Sequence, residues 1–270
     1  MRDELQPVPV KHYGPNGQSV VVVHGGPGAP GGAGLLAQAL AGPLHVLEPW
    51  QRLSADVPLT VAQHIEDLAD VLSHEIPGES PAPVGESWGA MLALAFASEY
   101  PDRVSALALV GCGTFDEKAR ARLLSTLQER TTAELEEQLA QMATRGSDEN
   151  ERAAQAHALS DRLYTYSRAI NEPIARLDLK GHTETWRDMV RLQEAGVYPT
   201  AFNTITCPVL MLHGAYDPHP GEMIRDRLRK FIPQLEYTEF DRCGHSPWIE
   251  EHARDRFLST LRSWLQRGLE

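Results

Sequence analysis

A chain of 270 residues, 42% hydrophobic and 23% charged, can bury a substantial core, suits a core domain carrying an insertion, and is not of disordered composition. Its net charge of −12 disfavours nucleic acid and anionic membrane surfaces as partners. Either would need a basic patch, and Lys and Arg are scattered here among carboxylates.

No apolar run reaches membrane length, and Met1-Arg2-Asp3-Glu4-Leu5-Gln6 is polar where a secretory leader is apolar; a cytoplasmic location is expected. Cys112, Cys207 and Cys243 are widely spaced and suggest neither a disulfide framework nor a zinc site. The eleven histidines show no paired ligand spacing, so no metal is expected.

From residue 20 to 111 short apolar runs alternate with helical patterns, the signature of a parallel sheet. Val20–Val23 predicts a buried strand, followed by a glycine-rich segment from Gly25 to Gly34, a helix near 35–41 and a strand at 45–48. Thr60 opens a helix to about Ile76, with Ile65, Leu68, Ala69 and Leu72 on one face. Pro83-Val84 leads into a turn at Ser87, then a helix over 90–100 and a strand over 104–110. From 115 to about 195 no strand-like run occurs, and Glu, Arg, Gln, Ala and Leu predict three to five helices, with a break at 146–150 and a helix boundary at 171–173. Strands are expected again at 208–212 and 235–240, and helices near 222–231 and from about 249 to 267.

Gly85-Glu86-Ser87-Trp88-Gly89 places a serine at the tip of a tight strand-to-helix turn, where the residues two before and two after it must be small. A hydroxyl needs a base, and the base needs an acceptor that fixes its tautomer. His245, in a loop after the last predicted strand, and Asp217, directly after the strand at 208–212, fall on the carboxyl edge where the Ser87 turn also emerges. Asp116, several residues past its strand, is a less favoured acid. His24-Gly25-Gly26-Pro27-Gly28 offers backbone amides to a developing oxyanion; one donor is assigned to Gly26, with Gly25 possible, and the other to Trp88. That loop lacks the P-loop ending and the dinucleotide-binding spacing. Glu86 is expected to brace the turn, with amine binding or acid catalysis as the alternative, and His24 and His213 are expected to be structural.

These motifs resemble the α/β-hydrolase superfamily, and His24–Gly28 with Gly85–Gly89 looks like its proline iminopeptidase branch. The resemblance implies an α/β fold, a mostly parallel sheet flanked by helices with a helical cap inserted after the strand at 104–110. The core would comprise 1–111 and 200–270 and the cap 112–199. It implies a Ser87, Asp217, His245 triad and no cofactor. The chain departs from that branch at Glu48–Ser54, in its short amino-terminal region, and at Trp186, which is followed by Arg187 where the branch commonly has a Trp-Glu pair. Glu134, Glu136 and Glu137 are expected to form a solvated helix face. Tyr164, Trp186 and Trp248 are candidate substrate contacts, and Tyr166 and Tyr198 are further aromatics that could line a pocket.

The expected activity is cofactor-independent hydrolysis of a small ester or amide through an acyl-enzyme on Ser87. The alternatives are an aminopeptidase of the proline iminopeptidase type acting on short peptides, and a ligand-binding protein with little turnover. Dehalogenases and epoxide hydrolases of this fold need an aspartate at position 87.

Overall fold

The computed structural model describes residues 7–14, 17–143, 148–171 and 176–268. Among these, seven strands form one sheet in the order β1-β3-β2-β4-β5-β6-β7: β1 Val10–Tyr13, β2 Ser19–Val23, β3 His45–Pro49, β4 Ala82–Glu86, β5 Leu107–Val110, β6 Val209–Gly214 and β7 Leu235–Phe240. Only β1 runs antiparallel, against β3; the other pairings are parallel. Among the described residues ahead of β2 there is one strand, β1, as expected.

Strand alternation builds two cores. Val21, Val23, Leu107, Leu109, Val209 and Met211 point to one face, which α2 Val61–Glu75 and α3 Trp88–Glu99 cover. Val20, Val22, Ala108, Val110, Leu210 and Leu212 point to the other, covered by α1 Gly34–Leu40 and α9 Arg254–Gly268. A strand covered on both faces needs apolar residues at consecutive positions, which is why Val20–Val23 reads as an unbroken run. The Thr60 side chain accepts from the Gln63 amide while Gln63 bonds back to the Thr60 N–H, so a capping box starts α2.

Between β5 and β6 lie α4 Glu117–Arg130, α5 Ala133–Ala143, α6 Glu149–Ser160 and α7 Leu179–Glu194. The chain then continues through α8 Gly221–Leu228 and β7 to α9. Most surfaces of α4 to α6 are exposed, and Glu134, Glu136 and Glu137 face solvent. By contrast, α7 is fastened to the sheet domain: the Leu59 N–H donates to Glu184 (3.0 Å), the Val61 N–H to Asp188 (2.9 Å), and His64 Nε2 meets Thr185 Oγ1 (3.0 Å). Among the described residues no helix is long and apolar enough to cross a membrane.

Several boundaries differ from the sequence reading. β5 begins at Leu107, because the Ser105 amide is already bonded to Pro81 rather than laddered. The last helix begins at Arg254, since Pro247–Ile249 forms a 3-10 turn instead. The described residues 164–171 and 176–178 are not helical, and Asp178 caps the start of α7. Residues 146–147 and 172–173 of the expected breaks, and the polar leader Met1–Gln6, lie outside the described residues.

His24 and His64 are buried, and burial above all pulls each imidazole down to about 4. Unfolded, each would take a proton near pH 6.5. Between those values the unfolded chain binds more protons, so stability is full above about pH 6.5 and drains as the pH falls toward 4, by about 1.4 kcal/mol per pH unit per histidine. Urea unfolding between pH 7.5 and 5 should show this loss. His64→Gln, which keeps a side-chain amide for Thr185, should make the slope shallower by one proton; an unchanged slope would mean that His64 protonates freely in the folded protein.

Candidate active site

The chain leaves β2 for β3 on one side and returns to β4 on the other, so the sheet changes direction between β2 and β4. Ligands of open α/β sheets bind outside the carboxyl ends of the strands at such a switch point. Here those ends carry the 24–28 loop and Ser87, and their register pairs Val23 with Gly85.

Ser87 sits at φ 54° and ψ −115°, left-handed backbone that is costly for a residue with a Cβ and persists only when its surroundings enforce it. The enforcement is visible. A Cβ on Gly85 would lie 2.3 Å from the Gly89 oxygen, and one on Gly89 would lie 2.1 Å from the Val23 oxygen. Ser87 occupies the N-cap position of α3, where serine ordinarily bonds the first helix amides, yet its side chain makes no capping bond. The hydroxyl is thus not spent on capping α3.

The Ser87 amide donates to the Val110 oxygen (2.8 Å). The next residue, Gly111, faces the His245 loop: a Cβ there would stand 3.0 Å from His245 Nδ1. His245 Nδ1 lies 2.7 Å from Asp217 Oδ2. Asp217 is buried, which by itself would raise its carboxyl, but His245, His219 and His213 overcome this and hold it well below the usual range. The structure therefore brings Ser87, His245 and Asp217 to one edge, on the turns after β4, β7 and β6. Asp116 is elsewhere occupied: it caps α4 through the Ala119 amide (2.8 Å) and lies 3.9 Å from Arg227.

On the facing loop, Gly26 takes φ 53°. Trp88 is the first residue of α3, and its amide is among those a helix leaves without an intrahelical partner. Gly25, the further amide considered, is excluded: its N–H donates to Glu86 Oε2 at 2.9 Å. Glu86 thus braces the turn. Burial pushes its carboxyl up, against the pull of His245 and the Gly25 amide. His24 is structural, its Nδ1 against the Gly25 oxygen (2.9 Å) and its Nε2 accepting from the Gln51 amide (3.1 Å). Gln51 also donates to the His24 oxygen (2.9 Å) and accepts from Trp88 Nε1 (2.8 Å).

Of the aromatic candidates, Tyr164 lies at the site, its ring 5.7 Å from that of His245 and 6.1 Å from that of His219; burial, then Asp217, pushes its phenol up to about 12. Trp186 packs half-buried against the core on α7. Trp248 is no substrate contact, since it is 2% exposed in the opposite core, near Phe257. Tyr198 packs on Phe202 and Tyr166 on Tyr216, each among protein rings.

Two histidines that spacing did not single out join the site. His182 of α7 places Nδ1 3.1 Å from the Pro27 oxygen. His219 places Nδ1 2.9 Å from Asp217 Oδ1; its Asp-Pro-His spacing was legible but matches no ligand or triad pattern. Asp217, His219 and His245 offer ligand atoms within 4.8 Å of one another, enough for a metal, but the Nδ1 atoms already meet the two carboxylate oxygens.

The chain is 26% identical over 196 residues, 71% of its length and 76% of the relative's, to the pimeloyl-[acyl-carrier protein] methyl ester esterase of Aromatoleum aromaticum. In fold it is similar to a thermophilic esterase from Thermogutta terrifontis (TM-score 0.66, 20% identity, 97% of this chain and 94% of that one). The proline iminopeptidase of Mycobacterium smegmatis is similar to the same degree (TM-score 0.66, 20% identity, 98% of each chain). A family model described as the alpha/beta hydrolase fold matches residues 18–252, and the chain belongs to that family.

Proposed function

We propose that the protein is a cofactor-independent serine hydrolase that cleaves a small ester through an acyl-enzyme on Ser87. The observation that carries this reading is the Ser87 turn, whose hydroxyl is spared from helix capping at the switch point where the Asp217–His245 pair also arrives. In this reading His245 Nε2 takes the Ser87 proton as Oγ attacks the carbonyl carbon, while Asp217 accepts from Nδ1–H and stabilises the imidazolium. The Gly26 and Trp88 amides receive the negative oxygen. The carbonyl-to-alkoxide bond breaks as His245 returns the proton to the leaving alcohol. Water, deprotonated by the same imidazole, then releases the acid. The helices within 112–199 form the cap over this edge, with Tyr164 against the acyl or alcohol group.

An ester is favoured over a peptide because a free substrate amine needs an available carboxylate. Glu86 and Asp217 are both engaged by protein donors. Glu134 and Glu137 are exposed and bonded by Gln138 and Gln141 of their own helix. The methyl ester esterase relative supports the same choice. The likeness to a proline iminopeptidase and the His24–Gly28 motif keep aminopeptidase action as the second reading.

A fluorophosphonate probe at neutral pH should modify Ser87, located by peptide mass mapping, and Ser87→Ala should lower kcat on a p-nitrophenyl ester on the order of 10⁴-fold. Failure to label would remove the enzymatic reading. In a panel of p-nitrophenyl esters beside aminoacyl naphthylamides, turnover should concentrate on short-chain esters. Activity confined to the naphthylamides and abolished by blocking their amine would make the protein an aminopeptidase. On the esters, kcat/KM should fall on acidification with uptake of one proton, because Asp217 remains ionised through that range; a two-proton limb would contradict this.

A further inference from the structure

Asp217 carries an imidazole on each oxygen. Oδ2 faces His245 Nδ1 at 2.7 Å, and Oδ1 faces both the backbone N–H and Nδ1 of His219, each at 2.9 Å. The two rings are stacked, 4.7 Å between centroids and 21° between planes. Tyr164 meets the His245 ring at 65° and also approaches His219, so the three rings form a triangle in which the imidazole has one parallel and one crossing neighbour. His219 is itself fixed: its carbonyl lies 2.9 Å from His213 Nε2, and it stands between Pro218 and Pro220. Proline fixes its own φ and restricts the residue before it, which limits both Asp217 and His219.

We propose that His219 is a positioning residue for the Asp217–His245 pair: its ring N–H locks the carboxylate rotamer from the oxygen that His245 does not use, and its ring face limits the swing of His245. The inference rests on the serine hydrolase reading and adds to it a fourth residue that acts through Asp217. Charge on a carboxylate is shared among its donors. A donor on Oδ1 therefore lessens what Oδ2 gives the imidazolium, and removing it should make His245 more basic. The groups facing this pair are His213 from β6, Tyr164, Glu86, His157 from α6, Cys112 and Cys243. Burial, partly offset by Asp217, lowers the His219 imidazole, so it serves as a neutral donor at pH 7.

The test compares His219→Ala with His219→Asn, whose side-chain amide can donate from near the same place. With a p-nitrophenyl ester, His219→Ala should lower kcat about tenfold, the worth of one hydrogen bond to a charged group. KM should stay within about twofold, and the acid limb of kcat/KM should move to higher pH by about half a unit. His219→Asn should restore the limb and most of kcat. An unchanged limb in the alanine variant, or equal loss in both variants, overturns the assignment. A second readout is independent of turnover: in protein labelled with ¹⁵N-histidine, His219→Ala should remove one low-field ring N–H resonance and shift that of His245. A His245 signal left in place refutes the coupling even if the alanine variant is inactive. Fluorophosphonate labelling of the wild type keeps the two ideas separate. Unlabelled Ser87 sinks the hydrolase reading, whereas labelled Ser87 with unaltered His219 variants sinks only this one.

Discussion

Gly89 lies so close to β2 that a Cβ would stand 2.1 Å from the Val23 oxygen, and Gly85 is equally tight against the start of α3. This near-contact of helix and sheet compels the rest of the site. It forces α3 to leave β4 with no intervening loop, which puts Ser87 at positive φ. That strain, of order 1–3 kcal/mol, is repaid by an almost wholly buried helix: all residues from Trp88 to Ala97 are inside. An α3 with apolar residues all round is the sequence trace of that arrangement.

Once the turn is fixed, the remaining segments are held to it by buried carboxylates that accept backbone amides. Glu86 takes the Gly25 amide. Asp178 takes those of Ser54 and Gly181, while its own N–H donates to the Gly28 oxygen. Glu250, wholly buried, accepts from Tyr166, Ser167 and Gly244, tying the 164–167 segment to the His245 loop. The His245 amide donates to the Tyr164 oxygen. Removing a carboxylate from water costs several kcal/mol and is offset only when its lone pairs are satisfied, so these groups contribute geometric definition more than net stability. The 164–168 return and α7 are thereby set against the sheet domain, while α4 to α6 are largely exposed.

The doubly buried strands, the helix start at Thr60 and the small residues flanking Ser87 were legible in the sequence, because each is a local pattern with one physical cause. Glu86 and His24 also took the structural roles expected of them. What was not legible depends on distant partners. Nothing near Trp248 says that it turns into the core on Phe257 rather than toward the site, and the occupation of the Gly25 amide depends on a carboxylate 61 residues away. His219 is two residues from Asp217, yet its role becomes visible only when β7 delivers His245 to the same carboxylate.

The 48–54 segment, one of the parts that depart from the proline iminopeptidase pattern, would on the proposed reading bear on both substrate and catalysis. Gln51 joins the His24 loop to the indole of Trp88, and Ser54 binds Asp178 at the root of α7. The two loops that would supply oxyanion donors are therefore spaced by one glutamine side chain, and the same stretch anchors the helix whose His182 reaches Pro27. A change there cannot alter the substrate pocket alone. It would also shift the separation of the Gly26 and Trp88 amides, and an oxyanion donor is effective only within a few tenths of an ångström of its place. A remodelled loop of this kind must keep some bridge between His24 and Trp88, and in this chain Gln51 is that bridge.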